Sequence, residues 1–90
     1  MFALQLSRTA QRALDKLPPN IARKIFTHLE ELKRDPYRPR PLVDIAPVAG
    51  SENMYRLRVG KLRVEYEVDE KINIIKLLKI FSKKRKSDYR

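Results

Sequence analysis

The residues best suited to chemistry in this sequence are three arginines. Arg56, Arg58 and Arg63 stand in Met-Tyr-Arg-Leu-Arg-Val-Gly-Lys-Leu-Arg-Val-Glu-Tyr-Glu-Val, residues 54–68. Two runs of alternating apolar and charged residues flank Gly60-Lys61. A Gly-X pair between such runs signals a two-residue hairpin loop of type II′. That turn sets Val59 opposite Leu62, Arg58 opposite Arg63, Leu57 opposite Val64, Arg56 opposite Glu65 and Tyr55 opposite Tyr66. One face collects Tyr55, Leu57, Val59, Leu62, Val64, Tyr66 and Val68. The other carries Arg56, Arg58, Arg63, Glu65 and Glu67. Both strands agree on the buried face, which supports the register. Like charges directly opposite one another destabilise a sheet, so Arg58 against Arg63 makes sense where an anion is the partner. A guanidinium offers a planar donor fork that matches phosphate. The bland alternative is a solvated charged face with Arg56–Glu65 as a surface ion pair, and the pattern alone does not separate the two.

A second cluster closes the chain: Lys83, Lys84, Arg85, Lys86 and Tyr89. A basic run with an aromatic binds backbone phosphates and stacks a base, or else simply solubilises a tail. Other chemistries have less support. His28 is the sole histidine and falls on the polar flank of a helical segment, as a surface residue rather than a base. Glu30-Glu31 and Asp69-Glu70 do not resemble a two-metal nuclease site. No cysteine is present, which excludes disulfides and Cys-based zinc sites. With two glycines, Gly50 and Gly60, there is no phosphate-cradling loop. The expectation is a site with no metal and no small-molecule cofactor.

Charge agrees with an anionic partner. The 90 residues carry a formal net charge of +10, and a field of that sign favours polyanions. Twelve of the 21 basic residues, against five of the 11 acidic ones, lie between Met54 and Arg90, which places the interacting surface in the second half. The length fits one small domain over 1–90, burying roughly 60–65% of its unfolded surface. No apolar run reaches the roughly 18–20 residues of a membrane span. The absence of cysteine fits the cytoplasm.

The elements that must position the arginines follow from periodicity. Phe2, Leu4 and Leu6 alternate as in a half-buried strand. Ser7 offers an N-cap to a short helix over 8–17, with Ala10, Ala13, Leu14 and Leu17 on one side. Pro18-Pro19 stops it. A second helix over 21–33, with Asn20 available as its cap, carries Ile21, Ile25, Leu29 and Leu32 with Ala22 and Phe26 as a wide apolar stripe. So short a break makes a helical hairpin. Residues 35–53, with four prolines, read as loop with one short extended piece at Leu42–Ile45. After a turn at Asp69-Glu70-Lys71, residues 72–81 fit a helix about as well as a strand; their isoleucine content and the preceding hairpin favour a strand. The fold class is therefore α+β: a first strand, a helical hairpin, then a three-stranded antiparallel meander.

This pattern resembles the RelE/ParE toxin superfamily. Residues 55–68 are similar to its central hairpin. Ala13-Leu14-Asp15-Lys16-Leu17-Pro18, and the helix ending Leu32-Lys33-Arg34-Asp35-Pro36, resemble its helical hairpin. Lys84-Arg85-Lys86-Ser87-Asp88-Tyr89 resembles its basic-aromatic ending. Residues 37–53 match least. The resemblance implies a toxin of a type II toxin–antitoxin system. In the RelE-like branch this is a ribosome-dependent mRNA endonuclease cutting in the ribosomal A site by metal-independent attack of a 2′-OH. In the ParE-like branch it is a poison of DNA gyrase. A non-catalytic RNA-binding module is a further alternative. By resemblance the catalytic positions are Arg56, Arg58, Arg63, Arg85 and Tyr89, with Lys83 as the alternative to Arg85. Lys61, Lys83, Lys84 and Lys86 would contact RNA. Arginines stand at 56 and 58 where some relatives have lysines, and arginine stays protonated at working pH. The implied partners are the ribosome with mRNA and a small, partly acidic, amphipathic cognate antitoxin.

Overall fold

The computed structural model describes residues 1–82. The chain runs β1 (Ala3–Leu6), α1 (Arg8–Asp15), α2 (Pro19–Leu32), β2 (Asp44–Pro47), β3 (Met54–Val59), β4 (Leu62–Asp69) and β5 (Ile74–Ser82). The five strands form one mixed sheet in the order β1-β5-β4-β3-β2. β1 lies parallel to β5, and every other pair is antiparallel. The α+β architecture is as expected, with one strand more than the meander: part of the proline-rich segment pairs with β3 as an edge strand. The extended piece lies at Asp44–Pro47 rather than Leu42–Ile45. Proline is tolerated there because an edge strand needs only half of its backbone groups. No helix among the described residues is long and apolar enough to cross a membrane.

The central hairpin has the expected register at all five pairs, from Val59↔Leu62 to Tyr55↔Tyr66. Gly60 has φ +59°, and Lys61 does not share the positive φ. This is the pattern of a type II′ turn, which glycine enters without a Cβ penalty. Leu57, Val59, Val64, Tyr66, Val68, Ile75, Leu77 and Ile80 point into the core. The helices cover them with Ala10 and Leu14 of α1 and Ile25, Leu29 and Leu32 of α2. Ser7 caps α1 as expected: its hydroxyl accepts from the Ala10 N–H at 3.0 Å. The same hydroxyl donates to the Leu78 carbonyl at 2.7 Å, which ties the helix start to β5. Asn20 does not cap α2. Pro19 is the first helical residue and Pro18 precedes it without a side-chain cap. Proline suits this position because its missing N–H would have no helical acceptor anyway.

The ambiguity of residues 72–81 has a structural cause. The strand begins at Ile74, and Ile72 sits exposed in the turn. The β4–β5 register shifts between Glu65 and Tyr66: Glu65 faces Lys79 while Tyr66 faces Leu77. The extra residue, Leu78, makes a bulge that moves the inward positions from Leu77 to Ile80, a spacing of three. The apolar pattern therefore loses its period of two in mid-strand.

Tyrosines lock the long connection after α2 to the sheet. The buried Tyr66 hydroxyl donates to the Pro36 carbonyl at 2.8 Å. Tyr37 lies edge-on to Tyr55, which stacks on Tyr66 with centroids 5.5 Å apart. The Tyr37 hydroxyl donates to Glu70 at 2.8 Å. Arg40, on the same connection, donates to the carbonyls of Glu31, Asp35 and Arg38. The Glu31 carbonyl belongs to the last turn of α2, so Arg40 also closes the end of that helix. The His28 Nδ1 lies 2.9 Å from the Leu42 carbonyl, so this half-buried histidine holds the same loop.

Two outcomes follow from these contacts. Tyr66→Phe leaves the Pro36 carbonyl without its donor in the core and should cost about 1–3 kcal/mol, read as a lower urea midpoint with an unchanged m-value. Burial, and then the bond to Glu70, push the Tyr37 pKa up from 10.0 to about 12. Below pH 10 both states keep this proton and the contribution is complete. Between pH 10 and about 12 the unfolded chain loses a proton that the folded chain retains, so stability falls as pH rises. Urea midpoints measured across that window should decline less steeply in Tyr37→Phe.

Candidate nucleic-acid interface

The face of the sheet opposite the helices is laid out in rows by strand pairing. One row reads Asp44 on β2, Arg58 on β3, Arg63 on β4 and Phe81 on β5. The next reads Ala46, Arg56, Glu65 and Lys79. The hairpin register alone requires Arg56, Arg58 and Arg63 to share this face. The flanking strands supply their neighbours. Asp44, Ala46, Pro47 and the three arginines line one open depression.

The three arginines are held differently. Arg56 makes a two-pronged contact with one oxygen of Glu65: its Nε donates at 3.0 Å and its Nη2 also donates. The Glu65 side chain is 11% exposed, against 47% for Arg56, and Lys79 Nζ approaches its other oxygen at 3.9 Å. The ion pair read from the hairpin therefore exists, but its carboxylate is buried, shared between two cations. Arg58 is paired with Asp44 at 2.6 Å, and both side chains are more than half exposed. Arg63 donates to the carbonyls of Gly60 and Leu62, each at 2.9 Å. Among the described residues it has no carboxylate partner.

Lone carboxylates thus hold two of the arginines, and the third leans on its own turn. The Arg58–Asp44 pair, in water, is worth on the order of 0.2–1 kcal/mol and yields readily to a phosphate. The Arg56–Glu65 pair is anchored by a carboxylate that cannot move to solvent without loss of its bonds. An anion entering the depression meets one fixed, one exchangeable and one uncompensated guanidinium. That set can bind and orient a phosphodiester and stabilise charge developing on it.

The other sequence-derived positions divide in two. Lys61 is exposed at the hairpin turn, and the arginine depression does not include it. Lys83, Lys84, Arg85, Lys86 and Tyr89 lie outside the described residues. Three neighbours of the arginines escaped the sequence reading. Asp44 fell within the extended piece expected at Leu42–Ile45, but its pairing with β3 beside Arg58 was not foreseen, although Val43 and Ile45 point inward on either side of it. Lys79 and Phe81 were hidden by the bulge that breaks the period of β5. The signal that could have found them is the alternation Lys79-Ile80-Phe81 itself, read as strand from its far end.

Comparison with known proteins gives a consistent set of relatives. A family model described as the ParE toxin of the type II toxin–antitoxin system parDE matches residues 4–87. RelE1 of Methanocaldococcus jannaschii, named as a candidate toxin, is 36% identical over 77 residues, covering 83% of this chain and 84% of that protein. Among solved structures, the archaeal RelE–RelB complex from Pyrococcus horikoshii OT3 superposes with a TM-score of 0.79 at 29% identity, covering 93% of this chain and 97% of that one. The isolated E. coli RelE toxin reaches 0.82 at 16% identity, covering 99% of this chain and 92% of its own. At that identity the likeness is one of fold.

The unequal anchoring of the arginines has a measurable consequence. Arg56→Ala strips Glu65 of its principal partner and should destabilise the protein by about 1–3 kcal/mol. Arg63→Ala removes contacts to two turn carbonyls, one exposed and one half-buried, and should stay within about 0.5 kcal/mol of the parent. Urea midpoints of the two variants, measured side by side, check this difference.

Proposed function

The chain belongs to the RelE/ParE toxin family, and on that premise we propose that it is a ribosome-dependent mRNA endonuclease of the RelE kind. It is a type II toxin–antitoxin toxin of the RelE kind, and in the proposed reading residues 1–90 act as one domain. The observation that carries the catalytic reading is the Arg58–Arg63 pair, set directly across β3–β4 in an open depression with Arg56. Repulsion between the two guanidinium groups is unfavourable until an anion enters between them.

In the proposed reaction the 2′-OH of an mRNA nucleotide attacks the adjacent phosphorus in line with the departing 5′-oxygen. The new O–P bond and the broken P–O bond leave a 2′,3′-cyclic phosphate and a 5′-OH. Arg63, least compensated, and Arg58, exchanging Asp44 for phosphate, stabilise the charge on the phosphorane. Arg56, braced by Glu65, orients the phosphate. Arg85 or Lys83 neutralises the leaving oxygen, and Tyr89 stacks a base or assists proton transfer. Lys61, Lys84 and Lys86 extend the contact along the backbone. No strong acid–base pair is present among these groups. Positioning of the mRNA by the ribosome then supplies much of the rate, and free RNA is a poor substrate. The partner that restrains the toxin is a small, partly acidic, amphipathic antitoxin, in keeping with the RelE–RelB complexes among the structural neighbours.

The matched family model is described as a ParE toxin, and the resemblance to the ParE-like branch implies a second reading, inhibition of DNA gyrase. An inhibitor of that kind needs no reacting arginines. Purified protein, programmed ribosomes and an end-labelled mRNA separate the two. Cuts at the A site, absent with free mRNA, are expected. Arg63→Ala and Arg58→Ala should each lower the cleavage rate about 100-fold or more. Unchanged toxicity in both variants, without cleavage by the parent, would turn the reading to gyrase. Asp44→Asn, which frees Arg58, should tighten RNA binding by up to about five-fold at low salt, an effect that added salt removes.

A further inference from the structure

Phe81 is out of place on a charged face. It is half-buried on the side of the sheet away from the helices, directly across from Arg63. The Arg56 guanidinium carbon lies 5.9 Å from its ring centroid and the Lys79 ammonium 5.5 Å. Two cations therefore lie against one aromatic ring, and Arg63 stands across from it on the neighbouring strand. The carboxylates in its row and the next are both engaged, Asp44 by Arg58 and Glu65 by Arg56 and Lys79. Packing alone gives no reason for a phenylalanine here, because the core lies on the other face, filled by Val64, Tyr66, Leu77 and Ile80.

We propose that Phe81 is a stacking platform for a nucleobase of single-stranded RNA, beside the phosphate-binding arginines, with Lys79 contacting a neighbouring phosphate. The proposal rests on the RNA-cleaving reading above and adds a base-contacting residue to it. A ligand suited to this surface must present anionic groups to Arg56, Arg63 and Lys79 and a flat π face to the ring. A nucleotide chain does both at a repeat of one residue. Arg56, braced by Glu65, stays beside the ring, while Lys79, held by Glu65 only at 3.9 Å, exchanges its cation–π contact for a phosphate as the base arrives. The contact is tolerant of base identity, since every base has a π face, so it fixes the position of the strand rather than its sequence. Lys79 and Phe81 reach the same side of β5 because they are two residues apart on the near side of the bulge.

The chain has no tryptophan, so Phe81→Trp introduces a single indole that can be excited apart from the four tyrosines. It is titrated with a short oligoribonucleotide carrying a 2′-O-methyl group at the central ribose, and with a matched oligomer lacking the central bases. The expected result is quenching by the complete oligomer and little by the abasic one. Phe81→Leu keeps an apolar side chain and should bind the complete oligomer roughly ten-fold more weakly than the parent, with unchanged affinity for the abasic oligomer. Circular dichroism confirms that both variants fold. Equal quenching by the two oligomers, or equal affinity of Phe81→Leu and the parent, overturns the proposal. Cleavage on programmed ribosomes, run in parallel, separates the two failures. A parent that cleaves while Phe81→Leu binds normally loses the platform alone; a parent that neither binds nor cleaves RNA loses both readings.

Discussion

Arg58 and Arg63 face one another because a glycine turn leaves them no other arrangement. Gly60 takes φ +59°, the two-residue loop closes, and the pairing of β3 with β4 is set from Val59↔Leu62 outward. A slip by one residue would send Leu57, Val64 and Tyr66 into water and the arginines into the core. The cost of that exchange far exceeds the repulsion between two solvated guanidinium groups. The hydrophobic effect thus holds an unfavourable electrostatic pair in place, and the pair becomes favourable when a phosphate arrives between its members.

The rest of the face distributes compensation unequally. Glu65 is buried between Arg56 and Lys79, where desolvation makes the geometry rigid. Asp44 pairs with Arg58 in the open, where water weakens the bond and lets it exchange. Arg63 rests on backbone carbonyls of its own turn. One arginine is a fixed post, one is released by competition and one stands ready. Such a gradation suits a surface that must bind a phosphodiester firmly enough to orient it and still stabilise charge that appears only during reaction.

The second side of the sheet depends on different physics. The helices bury a contiguous apolar layer, and the segment after α2 is fastened over its edge by Tyr66 to Pro36 and by Arg40 to three carbonyls. That fastening brings Asp44 to the edge of β3. The acidic residue opposite Arg58 is therefore a product of the long connection as much as of the sheet. The family resemblance, which was weakest over residues 37–53, was silent on it.

The hairpin register, the two helices and the shared face of Arg56, Arg58 and Arg63 were all legible in the sequence, because each is written at short range. A period of two or 3.6 residues, or a Gly-X turn, is a local signal. Asn20 was misread as a cap because proline at a first helical position competes for the same reading. The parallel pairing of β1 with β5, the recruitment of Asp44–Pro47 as an edge strand, and the bulge at Leu78 were decided by tertiary structure. Each depends on which backbone groups find partners across tens of residues, and no local pattern encodes that. The same holds for the burial of Glu65 and the placing of Phe81 among cations. Residue type and alternation determined that a cationic face exists; only the packing of distant strands decided which of its charges are fixed, which exchange, and what aromatic surface stands beside them.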